Sequence, residues 1–89
     1  MNAYPSKVDA NQPEIVAALR KAGASVQHLH QVGHGCPDIA VGYGGHTYLL
    51  EIKQPGKHLT PDEREWHERW AGHATIVTCV REALDVIGA

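Results

Sequence analysis

The pair Gly44-Gly45 constrains this chain more than any other feature. It lies between Asp38-Ile39-Ala40-Val41-Gly42-Tyr43 and His46-Thr47-Tyr48-Leu49-Leu50-Glu51-Ile52-Lys53. Both flanks are rich in β-branched, aromatic and aliphatic residues, and glycine alone accepts at no cost the positive φ that a two-residue hairpin turn requires. A two-residue turn predicts the register outward: Tyr43 faces His46, Gly42 faces Thr47, Val41 faces Tyr48, Ala40 faces Leu49 and Ile39 faces Leu50. Asp38 then falls opposite Glu51, at a Cβ separation of ~4.5–5.5 Å. Side chains alternate between faces, so Lys53 joins Glu51 on one side. Two carboxylates and an amine therefore meet at the open end of one hairpin.

The remainder supplies helices and strands around that hairpin. Residues 1–10 read as a loose polar arm and 11–89 as a single domain. Asn11 to Gly23 reads as a helix, with Ile15, Ala18, Leu19 and Ala22 at helical spacing. Asn11 can cap it, with Glu14 in the capping-box position. Ser25 to Val32 reads as an imperfectly alternating strand, followed by a Gly33–Pro37 loop. Gln54 to His58 forms another loop. Thr60-Pro61-Asp62-Glu63 is a strong helix start, and that helix is expected to run to about Trp70. Ala74 to Val80 reads as a short buried strand and Arg81 to Ile87 as a closing helix. The expected order is α-β-β-β-α-β-α, an α/β fold with a small mixed sheet flanked by helices.

Composition narrows the function classes. Of 89 residues, 43% are apolar and 20% charged, so the chain folds rather than remaining disordered. A chain of this length buries only about 60–65% of its unfolded surface. No apolar run reaches the ~18 residues of a membrane span, and the start lacks the apolar stretch of a secretory signal. Two cysteines are too few for a disulfide scaffold, which points to a reducing cytoplasm. A net charge of −2 excludes a simple basic-patch DNA binder. It does not exclude a nucleic-acid enzyme, because a divalent metal supplies positive charge of its own.

Opposed like charges on a strand pair are unfavourable. A hard cation with oxygen ligands compensates them, and Mg²⁺ is commonly held by one or two carboxylates with waters and a substrate phosphate. Lys53 is placed to orient a water or to steady a phosphate as it gains charge. Such a group suits metal-assisted phosphodiester hydrolysis. The plainer alternative is a surface aspartate after a proline turn, with Glu51 and Lys53 as an exposed ion pair worth ~0–1 kcal/mol.

Pro37-Asp38 followed by Glu51-Ile52-Lys53, in this element order, resembles the PD-(D/E)xK nuclease superfamily. Gly35-Cys36-Pro37-Asp38-Ile39-Ala40-Val41-Gly42, Tyr48-Leu49-Leu50-Glu51-Ile52-Lys53 and Leu59-Thr60-Pro61-Asp62-Glu63-Arg64-Glu65-Trp66 together resemble its virus-type replication-repair branch, VRR-NUC. The resemblance implies a restriction-endonuclease-like core. It implies Asp38 and Glu51 as catalytic metal ligands, the Ile52 carbonyl as a backbone ligand and Lys53 as the catalytic lysine. Glu14 matches an acidic position on the first helix that often joins the metal site. Its capping-box role is the equal alternative. Glu63 stands where members usually carry glutamine, at a polar contact on the substrate side.

The same resemblance implies a Mg²⁺- or Mn²⁺-dependent DNA endonuclease of bacterial or phage origin that leaves a 5′-phosphate and a 3′-hydroxyl. It also implies a homodimer on branched or duplex DNA, with Holliday-junction resolution by analogy. The alternatives are a non-catalytic branched-DNA-binding module of the same fold and a small zinc-stabilised interaction protein.

Other residues carry weaker signals. His28, His30, His34 and Cys36 invite a zinc reading, but their spacing fits no common framework. His34 and His67 are expected near substrate. Gln54 follows the motif directly; Lys7, Arg20, Lys21, Lys57, Arg64 and Arg69 are candidates for phosphate contact, with Lys57 the best of them because its glycine-bearing loop follows the catalytic strand. Trp66 and Trp70 lie one turn apart and are expected to pack on the sheet rather than stack on bases. Cys79 is expected to be an inert core thiol.

Overall fold

The structure, a computed structural model, describes residues 9–89. The expected polar arm lies outside them except for its last two residues, and so does Lys7. Seven elements follow the expected order: α1 (Gln12–Lys21), β1 (Ser25–His28), β2 (Ile39–Tyr43), β3 (His46–Ile52), α2 (Pro61–Arg69), β4 (Thr75–Val77) and α3 (Val80–Ile87). The strands form one mixed sheet in the order β1-β2-β3-β4. The first three strands are antiparallel, and β4 runs parallel to β3.

The glycine turn produces the predicted register from Tyr43↔His46 to Ile39↔Leu50. Gly44 and Gly45 both take positive φ, 60° and 83°, as a primed turn demands. One rung further the ladder departs from expectation. Pro37 has no amide to extend it, and β2 starts at Ile39 rather than Asp38. The Asp38 amide donates to the Leu50 carbonyl at 3.1 Å. Its side chain meanwhile accepts from the Ile52 amide at 2.6 Å. The carboxylate thus stands in for a backbone acceptor just where the strand ends.

Alternation assigns the two faces of the sheet. Ile39, Val41, Leu50, Ile52 and Val77 point to one face and are buried against Ile15, Leu19, Ala83 and Ile87 of α1 and α3. Each fully buried aliphatic side chain contributes about 1.5–3 kcal/mol, so this face holds the fold together. Glu51, Lys53 and Ile76 point to the other face. Parallel strands need a crossover between them, and α2 belongs to the crossover from β3 to β4. None of its residues is buried. It is held instead by the Thr60/Glu63 capping box, by ion pairs described below, and by Gly35. A Cβ at Gly35 would overlap the Asp62 carbonyl, so only glycine lets that loop lie against the first turn of α2.

Several local expectations fail for tertiary reasons. β1 ends at His28 rather than Val32, and the chain then turns, with Val32 donating to the Leu29 carbonyl at 2.9 Å. Asn11 makes no side-chain cap for α1. Its amide donates to the carbonyls of Lys53 (3.1 Å) and Thr78 (2.8 Å), so the helix start is anchored to the ends of the sheet instead. β4 is confined to three residues, and α3 begins at Val80. Cys79 is the exposed residue before α3, not a core thiol. Trp66 is half-buried and Trp70 is exposed, so the tryptophans do not form the expected core face.

Candidate active site

The second face of the sheet and the inner side of α2 enclose a charged cluster. β3 delivers Glu51 with 1% of its surface exposed. Asp38 reaches it from the end of β2, close enough for each carboxyl group to influence the other's protonation. Lys53 Nζ lies 4.0 Å from Glu51 Oε2 and 2.7 Å from Glu63 Oε1. One helical turn beyond Glu63, His67 Nε2 lies 3.8 Å from Glu51 Oε1. That is too long for a hydrogen bond, and both atoms are buried without a partner.

The electrostatics follow from this crowding. Burial, then the charges of Asp38 and Glu63, push Glu51 up to about 9; the contact with Asp38 acts in the same direction and Lys53 opposes it. Burial raises Asp38 as well, against the pull of the Ile52 amide and the contact with Glu51. For Lys53, burial works against the charged form, but the Glu63 contact outweighs it and leaves the amine above its ordinary value. Burial opposes the Glu63 charge, yet Lys53 and the Thr60 amide lower it below the usual range. Burial lowers His67, so at neutral pH its imidazole is uncharged. Burial and the charges of Glu51 and Asp38 raise Cys36.

This donor set suits a hard divalent cation. Without positive charge, Glu51 keeps a proton across the neutral range, and its buried Oε1 finds no donor. A divalent ion held by Asp38 and Glu51 oxygens would supply the missing charge. Among the described residues no group of three or more His, Cys, Asp or Glu side chains is arranged to hold a metal. The protein side chains available are therefore this pair.

The other candidates from the sequence separate. Glu14 is exposed on α1 and is not among the charges that perturb Asp38, Glu51 or Lys53. Asp9, just before α1, acts on both Asp38 and Lys53, and no motif in the sequence singles it out. For Ile52 the observed contact is its amide on Asp38. Gln54 is half-buried, and its carbonyl accepts from the Lys57 amide at 3.0 Å. Lys57 and Arg64 are exposed and share a recess of about 210 Å³ with Lys53, His58, Leu59 and Ile76. His34, in the left-handed region at φ 59°, lines a separate cavity beside α2. His28 lies 3.4 Å from the Gln12 side-chain amide and packs edge-on to His30. The inward positions of Glu63 and His67 are foreshadowed by their i,i+4 spacing, which puts both on one helix face.

The fold has a solved counterpart. A structure described as a VRR_NUC domain superposes with a TM-score of 0.69 at 18% identity, covering 90% of this chain and 97% of that one. No family model and no curated protein matches the sequence. The chain therefore has a VRR-NUC fold at a level of identity that speaks for architecture alone.

Proposed function

We propose that this VRR-NUC-fold chain is a metal-dependent DNA endonuclease. Residues 11–89 act as one nuclease domain, and Mg²⁺ or Mn²⁺ binds at Asp38 and Glu51 with the Ile52 carbonyl. The observation that carries this reading is the convergence of Asp38, Glu51 and Lys53 on one face of the sheet under α2. When bound, the metal would polarise the phosphoryl group and lower the pKa of an attacking water.

The chain's own residues do the rest. The Ile52 amide fixes the Asp38 carboxylate in position. Glu63 holds Lys53 in its charged form beside Glu51, where an ammonium can stabilise charge developing on a phosphate. The recess formed with Lys57, His58 and Arg64 gives the adjoining backbone phosphates a basic seat. DNA is the proposed partner, and selectivity for branched structures the proposed preference. A homodimer would set two such sites across one substrate. Both cysteines are free, which suits a reducing cytoplasm in a bacterial or phage-infected cell. No helix among the described residues is long and apolar enough to cross a membrane.

The test is cleavage of branched and linear DNA with Mg²⁺ or Mn²⁺ by the wild type, Asp38→Ala and Lys53→Met. Activity is expected in the wild type and lost in both variants. Equal cleavage by all three proteins, or none by the wild type with either ion, would refute the proposal.

A further inference from the structure

On the outer side of α2 the indoles of Trp66 and Trp70 stack on each other, with centroids 4.7 Å apart and planes inclined by 16°. Trp70 remains 46% exposed, although large apolar side chains normally seek cover. The pair borders a cavity of about 530 Å³ that His34, Asp62, Glu65 and Arg69 complete. That volume lies in the range of small-ligand sites. The stack touches the candidate active site, because Trp66 packs edge-on against His67 at 5.3 Å, and His67 faces Glu51.

We propose that this cavity receives an unpaired nucleobase of the DNA substrate, stacked on the tryptophan pair. The lining chooses between the parts of a nucleotide. Arg69 is already engaged by Glu65 at 3.2 Å, and Asp62 adds a further carboxylate, so the cavity repels a phosphate. A base is uncharged, offers a π-face to an indole, and presents an N–H edge (the ring N3–H in thymine) that a carboxylate can accept. The phosphates have their own seat in the basic recess by Lys57 and Arg64. A basic recess that includes Lys53 and an aromatic cavity whose Trp66 packs on His67 both adjoin one charged cluster, which suits a substrate with a splayed-out nucleotide, whereas a fully paired duplex keeps its bases inside the stack. The inference rests on the nuclease reading and names its substrate class, DNA with an unpaired nucleotide.

Trp66 and Trp70 are the only tryptophans in the chain, so tryptophan emission, excited where tyrosine does not absorb, reports on this cavity. Metal-free wild-type protein, kept in chelator, would be titrated with a perfect duplex, the same duplex carrying one unpaired thymine, and that duplex with an abasic residue in the unpaired position. Fluorescence quenching and about tenfold tighter binding are expected only for the unpaired thymine. Trp70→Ala should remove that preference and Trp70→Phe should keep part of it. Equal binding and quenching by the thymine and abasic duplexes would overturn the proposal without any variant having to fold. So would a fluorescence change that follows protein concentration in the absence of DNA, since a second copy would then be the occupant. Thymine-dependent quenching beside a wild type that never cleaves would leave the stacking site standing and remove the nuclease reading. Absence of binding to all three duplexes would overturn both.

Discussion

Replacing Glu51 by glutamine should make the metal-free protein more stable while abolishing its cleavage. The folded chain holds the Glu51 proton up to about pH 9, against an ordinary value of 4.5. Below pH 4.5 both folded and unfolded chains carry that proton, and the group has no effect on stability. Above it the unfolded chain releases the proton and the folded chain does not, so folding becomes less favourable as pH rises toward 9. Each pH step costs about 1.4 kcal/mol, so at pH 7 the wild type has lost about 3 kcal/mol. Glutamine has nearly the same shape and no proton to release, so the variant escapes this loss. Denaturant unfolding in chelator should show Glu51→Gln more stable by about 3 kcal/mol at pH 7, with a larger gap at pH 8 and almost none at pH 4.5. A gap that does not change with pH, or a less stable variant at pH 8, would show that Glu51 is not a buried, protonated acid. Addition of Mg²⁺ or Mn²⁺ should stabilise the wild type more than the variant, because the variant lacks one of the two carboxylates that would bind it.

The remaining predictions concern α2. Gly35→Ala should destabilise the fold by at least about 2 kcal/mol, since the added Cβ would overlap the Asp62 carbonyl and crowd the Glu63 amide at 2.8 Å. Gly33→Ala is the control: its Cβ would meet nothing within 4 Å, leaving only the left-handed φ of 76°, worth about 1 kcal/mol. Equal thermal shifts for the two variants would remove the role given to the Gly35 contact. Glu63→Gln should lower the Lys53 titration midpoint followed by NMR, because Glu63 is the main influence holding that amine charged; an unchanged midpoint would break the assignment.

The hairpin and the start of α2 were legible in the sequence because both depend on neighbours along the chain. A two-glycine turn sets the pairing from Tyr43–His46 to Ile39–Leu50, and alternation then puts Glu51 and Lys53 on one face. Thr60 and Glu63 satisfy each other's amides within a single helical turn. The resemblance around Asp38 and Glu51-Ile52-Lys53 pointed to the architecture that the structure shares with a VRR_NUC domain.

What only the tertiary structure decided is which groups meet across that face. Asn11 reads as a cap from its local sequence, yet its backbone is already helical, its Oδ1 meets no donor, and its Nδ2 donates to the carbonyls of Lys53 and Thr78, far along the chain. Asp9, not Glu14, is the acidic residue near α1 that acts on Asp38 and Lys53. The crossover lays α2 over the sheet, turning Glu63 onto Lys53 and His67 toward Glu51 while Trp70 stays outside. Hydrogen bonds within a turn are encoded by spacing. The placement of a helix that buries no side chain depends on a glycine contact and on charges brought together from distant segments, which no local pattern records.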